Sequence, residues 1–264
     1  MTTPGNQTAG LGWNPDPPSF LDYKFGAAFA PVSMPAAHSL RNNCSPVRNQ
    51  GNIGSCTGFS TAAAIEYLRR CDSDEFSTIY SPLFLYYEAR EREGTIDVDC
   101  GAYIRTLMDV ARKEGAAPES AWKYDEKRFA KLPNPTAYEK AKRWKLGAHY
   151  RCETMGQVLQ AIAKGFPVVG GFMCHTGMEA PEVNRTGVIP LPRAKRDRPT
   201  GGHAVCFIGY DHATRTVEFK NSWGTDWGDA GYGKLPFEYV ERRDLSGDFW
   251  AVTAEAPPEK KVAA

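Results

Sequence analysis

Apolar residues in the first half of the chain recur at the spacing of helices. Residues 56–67 carry them behind Ser55, a candidate N-cap, and predict a helix that begins at Cys56. A second helix is predicted between Ser81, which is followed by a proline suited to the first helical position, and Gly94. The same pattern with a nearby glycine predicts three more helices, at residues 103–111, 137–146 and 154–164.

The pattern changes at Pro167, after which short runs of apolar and β-branched residues replace the helical spacing. These runs predict strands at residues 167–173, 203–210, 215–220, 231–235 and 248–253. Helices in the first half and strands in the second indicate separate α and β regions rather than alternating β-α-β units. We therefore expect an α+β fold with two lobes and a cleft between them.

The two ends of the chain differ from this central part in composition. Residues 1–37 are rich in glycine, proline and small residues, and predict an extended arm ahead of a domain at 38–254. Residues 255–264 predict a disordered tail. The arm carries apolar anchors suited to a groove, at Trp13, Phe20, Tyr23 and Phe25. Two interpretations of the arm stay open: a cleft-occluding segment that acts as a short propeptide, or a flexible leader with no role.

Charge and hydropathy exclude several classes of partner. The 264 residues include 32 Lys and Arg against 31 Asp and Glu, so no broad charged field recruits nucleic acid or an anionic membrane surface. No apolar run approaches the ~20 residues of a membrane span, and the start of the chain lacks the features of a secretory signal. We expect a monomer with no nucleic-acid or membrane partner. The location stays open, with a cytoplasmic one favoured over a secreted one.

Cysteine usage argues against a metal site and against a disulfide-built scaffold. The chain has seven cysteines and no C-x-x-C pair, whereas structural zinc sites use closely spaced ligand pairs. We therefore predict no metal and no cofactor. The odd number leaves at least one thiol unpaired within the chain, and up to three disulfides remain open.

Cys56 has the surroundings of a nucleophile. A helix N-terminus lowers the pKa of a thiol, and the side-chain amide of Gln50, a few residues upstream, could bind an oxyanion. We expect Cys56 to react with an alkylating reagent before the other six thiols. Taken alone, a single cysteine is more often an inert buried thiol.

Two later segments could complete a catalytic set. His203 heads one apolar strand, and Asn221 ends the next. If these strands pair in antiparallel fashion, the amide of Asn221 lies beside the imidazole of His203 and can fix its tautomer and orientation. The alternatives are a hydrogen-bonded strand histidine and an ordinary turn residue.

Together the three segments resemble the papain family of cysteine peptidases. The resemblance rests on Gln50-Gly51 with Gly54-Ser55-Cys56, on Gly202-His203-Ala204-Val205, and on Lys220-Asn221-Ser222-Trp223-Gly224. The cysteine and the histidine stand at the separation of about 130–150 residues that is typical of such enzymes. The resemblance implies a papain-like two-lobed fold, in which a helical left lobe and a β-rich, barrel-like right lobe flank the active-site cleft.

The resemblance also implies residue roles for the hydrolysis of a peptide or protein substrate. Cys56 would form the acyl-enzyme, with His203 as general acid and base, Asn221 orienting His203, and Gln50 in the oxyanion hole. The implied substrate-binding or covering residues are Gly101, Ala102, Gly202 and Trp223.

Departures from the family pattern leave two other functions open. Ile53 stands where the family usually has a cysteine, and no long helical propeptide precedes the domain, which suits bacterial, archaeal or phage members. The chain could still be a zymogen if the arm occupies the cleft. The alternatives are a catalytically idle papain-like binding module and a Cys–His acyl-transferase.

Overall fold

The computed structural model describes residues 11–72 and 78–254. The tail predicted at 255–264 lies outside the described residues, as do the first ten residues of the arm. The α-helices are α1 (Phe25–Ala28), α2 (Cys56–Asp72), α3 (Pro82–Glu93), α4 (Ile104–Lys113), α5 (Pro135–Ala141), α6 (Met155–Ala163), α7 (Pro181–Thr186) and α8 (Phe237–Glu241). The strands are β1 (Trp13–Asn14), β2 (Ala37–Ser39), β3 (Ala102–Tyr103), β4 (Ala148–Cys152), β5 (Val168–His175), β6 (Pro199–Asp211), β7 (Thr216–Lys220), β8 (Tyr232–Pro236) and β9 (Ser246–Thr253).

Helices α2, α3 and α4 pack on one another and form the helical lobe. Helix α2 is buried continuously from Cys56 to Leu68, as expected of a central helix that has neighbours on every side. Helix α3 begins at its predicted cap, because the hydroxyl of Ser81 accepts the backbone N–H of Phe84. It ends at Gly94, whose φ of 70° is the left-handed conformation that glycine adopts most readily.

Six strands from the second half of the chain, together with β2, form a seven-stranded antiparallel sheet, here called the sheet lobe. Its strand order is β4-β9-β5-β6-β7-β8, and β2 also pairs with β6. Strand β6 is buried from His203 to Tyr210 and lies against α2. The expected α+β division is confirmed, and the contact of α2 with β6 joins the two lobes.

Local departures from the predicted elements have identifiable causes. The helix predicted at 137–146 ends at Ala141, because the chain turns there and the backbone N–H of Leu146 bonds to the carbonyl of Ala111. Strand β4, which follows this turn, was not predicted. It lies at one edge of the sheet, where it pairs with β9 on one side and forms a parallel bridge between Arg151 and Lys24 of the arm on the other.

The described part of the arm packs against both lobes. Phe25 in α1 is 1% exposed, and its ring contacts that of Phe29, which in turn packs on Tyr150 of β4. Nearer its start, the arm adds the short strand β1, which pairs in parallel with β3 of the helical lobe. The loop between these contacts is exposed at Phe20 and Leu21.

A buried carboxylate connects the helical lobe to the sheet lobe. Glu66 of α2 is fully buried and accepts hydrogen bonds from Ser45, from Arg48 at 2.7 Å and from the backbone N–H of Tyr80 at 2.8 Å. Lys220, the last residue of β7, donates to the hydroxyl of Ser45 at 2.7 Å. Burial lowers the pKa of Lys220. The chain of contacts therefore runs from the middle of α2 to the residue before Asn221.

Within residues 11–72 and 78–254, no helix is long and apolar enough to cross a membrane. The same residues contain no group of His, Cys, Asp and Glu side chains suited to a metal ion. All seven cysteines carry free thiols.

Candidate active site

Cys56 stands at the first position of α2, and the loop before it is fixed by buried polar contacts. The backbone N–H of Gly54 donates to the carboxylate of Asp99 at 3.0 Å, and the hydroxyl of Tyr86 donates to the same carboxylate at 2.6 Å. The Cys56 sulfur accepts the backbone N–H of Ala204 at 3.4 Å. Because Ala204 follows His203 in β6, the sulfur lies against the strand that carries this histidine.

His203 and Asn221 come together because β6 and β7 pair in antiparallel fashion. The Nε2 atom of His203 lies 2.8 Å from Oδ1 of Asn221. The indole of Trp223 stacks on the imidazole with ring centroids 4.4 Å apart, and the ring of Phe172 makes a T-shaped contact with the imidazole at a centroid separation of 5.6 Å. Among the described residues, the Nδ1 atom of His203 has no hydrogen-bond partner. One face and one nitrogen of the imidazole are therefore held, and the other nitrogen is available for a proton.

The side-chain amide of Gln50 is oriented by its neighbours. Its Oε1 accepts the hydroxyl of Ser222 at 2.6 Å, and its Nε2 donates to the carbonyl of Ile53 at 3.0 Å. The backbone N–H of Gln50 also donates to the carbonyl of Ser222, at 2.8 Å. Sequence reasoning assigned no role to Ser222, although its position directly after Asn221 in the third motif was a usable signal.

Burial sets the protonation of the site in this closed arrangement. It raises the pKa of the Cys56 thiol to about 11, although backbone N–H groups, first that of Ala204 and then that of Gly12, act in the opposite direction. Burial also lowers the pKa of His203 to about 4, against the effect of its hydrogen bond to Asn221. The expected lowering of the thiol pKa by the helix N-terminus is therefore outweighed, and both groups are neutral near pH 7.

The arm causes this burial by running directly over the sulfur. The carbonyl of Gly12 accepts the backbone N–H of Ala102 at 2.9 Å, beside the parallel pair of β1 and β3. A Cβ atom on Gly12 would lie 1.9 Å from the carbonyl oxygen of Gly54, and one on Gly101 would lie 2.2 Å from the oxygen of Gly12. The three backbones approach this closely because glycine occupies all three positions.

Trp13, the next residue of the arm, fills a pocket beside Cys56. Its side chain packs against Gly171 and Gly202, where added Cβ atoms would lie 2.1 Å and 2.9 Å from the indole ring. Its Nε1 donates to Oδ2 of Asp248 at 3.0 Å, and the backbone N–H of Asp16 donates to the same oxygen at 2.7 Å.

A cluster of ion pairs holds the arm beyond this pocket. Arg151 donates to Asp16 at 3.1 Å and to Asp248 at 2.6 Å, and Arg105 forms a two-pronged ion pair with Asp22 at 2.8 Å. Burial, and then the nearby charge of Asp248, raise the pKa of Asp16 to about 6. Asp16 and Asp22 come from the arm, and the other three groups come from the two lobes.

The predicted substrate-binding residues lie in two places. Gly101, Ala102 and Gly202 line the groove where the arm runs, against Gly12 and Trp13. Trp223 instead lies on the ring of His203.

Comparisons with known proteins agree on one family. The family model described as papain family cysteine protease matches residues 32–242. An uncharacterized peptidase C1-like protein of Acanthamoeba polyphaga mimivirus is 34% identical over 219 residues, which cover 80% of this chain and 70% of that protein. Chymopapain of Carica papaya is 27% identical over 209 residues, which cover 72% of this chain and 51% of the papaya protein. The chain thus spans about half the length of chymopapain.

The crystal structure of xylellain, a cysteine protease from Xylella fastidiosa, superimposes with a TM-score of 0.84 at 31% identity. The superposition covers 96% of this chain and 99% of the xylellain chain.

The burial of Cys56 predicts an order of thiol reactivity opposite to the one expected from sequence. In the intact chain, iodoacetamide should modify the exposed thiols of Cys71 and Cys100 well before Cys56, whose sulfur is covered and protonated. Peptide mapping by mass spectrometry over time measures this order. Modification of Cys56 in the intact chain as fast as that of Cys71 would contradict the covered arrangement.

Proposed function

Because the chain belongs to the papain family of cysteine proteases, we propose that Cys56 is the nucleophile with which it hydrolyses peptide bonds. The observation that carries this proposal is the state of His203. Its Nε2 is held by Asn221, its face is covered by Trp223, and its buried Nδ1 lacks a partner among the described residues. Because Nδ1 of His203 makes no other hydrogen bond within the described part of the chain while the ring is held in place, it is suited to exchange a proton with the sulfur of Cys56.

The proposed reaction has two stages. The Cys56 thiol transfers its proton to Nδ1 of His203, and the thiolate attacks the scissile carbonyl carbon. The oxyanion accepts hydrogen bonds from Nε2 of Gln50 and from the backbone N–H of Cys56. The imidazolium then protonates the leaving amine as the thioester forms. In the second stage His203 removes a proton from water, the hydroxide attacks the thioester, and the thiol is regenerated as the acid leaves.

Two alternatives use the same fold differently. An idle binding module would not need the sulfur of Cys56, the unpartnered Nδ1 of His203 or the oriented amide of Gln50. All three are present, which favours an active enzyme. An acyl-transferase would form the same thioester and pass the acyl group to an amine. Identifying the product as a free acid or as an amide separates transfer from hydrolysis.

We further propose that the arm restrains access to Cys56. Three contacts support this proposal: the backbone of Gly12 lies against the sulfur of Cys56, the side chain of Trp13 fills its pocket, and Asp16 forms an ion pair with Arg151. A tethered segment has a local concentration in the millimolar range, so that even weak contacts keep it in place. Release of Gly12 would return the sulfur to solvent and remove the burial that opposes its thiolate form.

The contacts of the arm indicate where it can be cut for a test. A chain that starts after residue 36 would lose Phe25, a buried residue of the core. A cut between Ser19 and Phe20, in the exposed loop, releases Trp13 and Asp16 but retains Phe25 and the pair of Asp22 with Arg105. The protein can fold intact and then be cut by an unrelated protease at a cleavage sequence introduced there. We call the product the cut chain.

Cutting should increase the rate of peptide hydrolysis, since residues 1–19 become free to dissociate from the groove. The measurement is turnover of a small fluorogenic peptide before and after cutting, with far-ultraviolet circular dichroism to verify the fold. Added synthetic peptide 1–19 should inhibit the cut chain, and the same peptide with Trp13→Ala should inhibit it less. Equal rates before and after complete cutting would contradict the restraint.

Cys56→Ala should remove nearly all hydrolysis by the cut chain, because no other group in the proposed reaction forms the acyl-enzyme. Cys71→Ala is the matched control, since it deletes an exposed thiol at the far end of α2. Initial rates on a fluorogenic peptide, scaled to folded protein, test both variants. Hydrolysis that persists in Cys56→Ala would refute the assignment of the nucleophile.

Gln50→Ala should lower kcat of the cut chain by roughly 10²–10³, the usual effect of losing one oxyanion donor, with little change in KM. Ser222→Ala should have a smaller effect in the same direction, because Ser222 only orients the amide of Gln50. Steady-state rates over a range of substrate concentrations, from below KM to saturation, separate kcat from KM. An increase in KM alone for Gln50→Ala would make Gln50 a substrate-binding residue instead.

A further inference from the structure

We propose that the pocket now filled by Trp13 selects a large substrate side chain that ends in an N–H donor, tryptophan above all, and that Asp248 determines this specificity. The inference rests on the proposed peptidase function and on release of the arm. It concerns the side chain that a substrate inserts beside Cys56.

The walls of the pocket are shaped for an indole. An added Cβ atom would lie 2.1 Å from the indole at Gly171 and 2.9 Å from it at Gly202, whereas at Gly247 it would lie 3.7 Å away, an ordinary contact. Trp13 itself is 7% exposed in this space. Glycine at the first two positions therefore provides the width of the pocket, and any side chain there would reduce it.

The floor of the pocket is a carboxylate oxygen whose hydrogen bonds come from the arm. Oδ2 of Asp248 accepts Nε1 of Trp13 at 3.0 Å and the backbone N–H of Asp16 at 2.7 Å. The other oxygen, Oδ1, accepts Arg151 at 2.6 Å. When the arm leaves, Oδ2 loses both of these donors at the bottom of a narrow pocket. A buried acceptor without a donor is costly, so a substrate side chain that carries an N–H group is favoured over one of the same shape without it.

The charges around the floor favour a neutral donor as much as a cationic one. In the cut chain, the carboxylates of Asp22 and Asp248 face the guanidinium groups of Arg105 and Arg151. These four charges balance. The other charged residues that line the same cavity balance as well: Glu153 pairs with Lys24, Asp244 pairs with Arg242, and Glu241 and Arg243 carry opposite charges. No net attraction for a cation is left. The hydrogen bond to Oδ2 and the shape of the walls therefore decide the choice, and the indole satisfies both.

The pocket lies close to the bond that is cut. Gly12 runs over the sulfur of Cys56, and Trp13 is the next residue, so that about one residue spacing of 3.8 Å separates the two positions along the groove. We assign to the pocket a side chain from one of the two residues before the scissile bond, in the part of the groove that Gly101 and Ala102 line.

The test compares two substrate side chains that differ in one group. Fluorogenic peptides carry tryptophan or 3-benzothienylalanine, in which sulfur replaces the indole N–H, at either of the two positions before the leaving group. At one position, the cut chain should show kcat/KM at least about tenfold higher for tryptophan, as expected for a hydrogen bond to a charged acceptor. Asp248→Asn should reduce that ratio several-fold. Asn suits this residue because φ is 55° there, a left-handed conformation that Asn tolerates.

A second pair of variants tests the walls. Gly171→Ala should lower kcat/KM for the tryptophan peptide relative to an alanine peptide, while Gly247→Ala should leave this ratio close to that of the parent enzyme. Each readout is a ratio within one enzyme preparation and does not depend on the fraction that folds.

The outcomes separate the two proposals. Hydrolysis with equal kcat/KM for tryptophan and benzothienylalanine at both positions would overturn the role of Asp248 and leave the peptidase proposal intact. Failure of the cut chain to hydrolyse any peptide would overturn both.

Discussion

The buried carboxylate of Glu66 is the interaction on which the arrangement of the two lobes depends. An ion in the interior must be compensated, and removing one partner of such a group costs about 3–5 kcal/mol. Here the compensation comes from Arg48 directly and from Lys220 through Ser45. Because Glu66 lies in the helix that starts at Cys56, and Lys220 precedes Asn221, the network fixes the separation of residues that belong to different lobes.

Backbone groups make many of the contacts at the site itself. The sulfur accepts an N–H from Ala204, and the arm is held through the N–H of Ala102. Such contacts require close approach, and Gly12, Gly54 and Gly101 permit it. The result is a fully buried site in which the thiol and the imidazole are both neutral. The geometry that the proposed reaction needs and the burial that opposes it are thus present in the same arrangement.

Local signals were sufficient to predict much of the fold. The cap at Ser81 and the stop at Gly94 act within one helical turn, so the sequence beside them shows where the helix begins and ends. The helix predicted at 137–146 was too long because a distant carbonyl, that of Ala111, takes the N–H of Leu146. Strand β4 was missed for a similar reason, since its pairing with β9 involves residues about a hundred positions away.

The candidate site likewise has parts that could be predicted from local sequence and parts that could not. The residues around Cys56, His203 and Asn221 stand in short motifs that sequence reasoning can find. The path of the arm could not be predicted, because it depends on pairs such as Trp13 with Asp248, which are 235 positions apart. The direction of the thiol pKa was mispredicted because burial under the arm is also a tertiary effect.

Because all seven cysteines carry free thiols, the stability of the fold does not depend on any disulfide bond. Ile53 stands where the papain family usually has a cysteine, and hydrogen bonds, packing and ion pairs hold the loop and the lobes. Strong reductants therefore break no disulfide that supports the fold, and they keep Cys56 in the thiol form that the proposed reaction uses. Mild oxidants should act in the opposite sense: they reach the exposed sulfurs of Cys71 and Cys100 first, because the sulfur of Cys56 is buried under the arm.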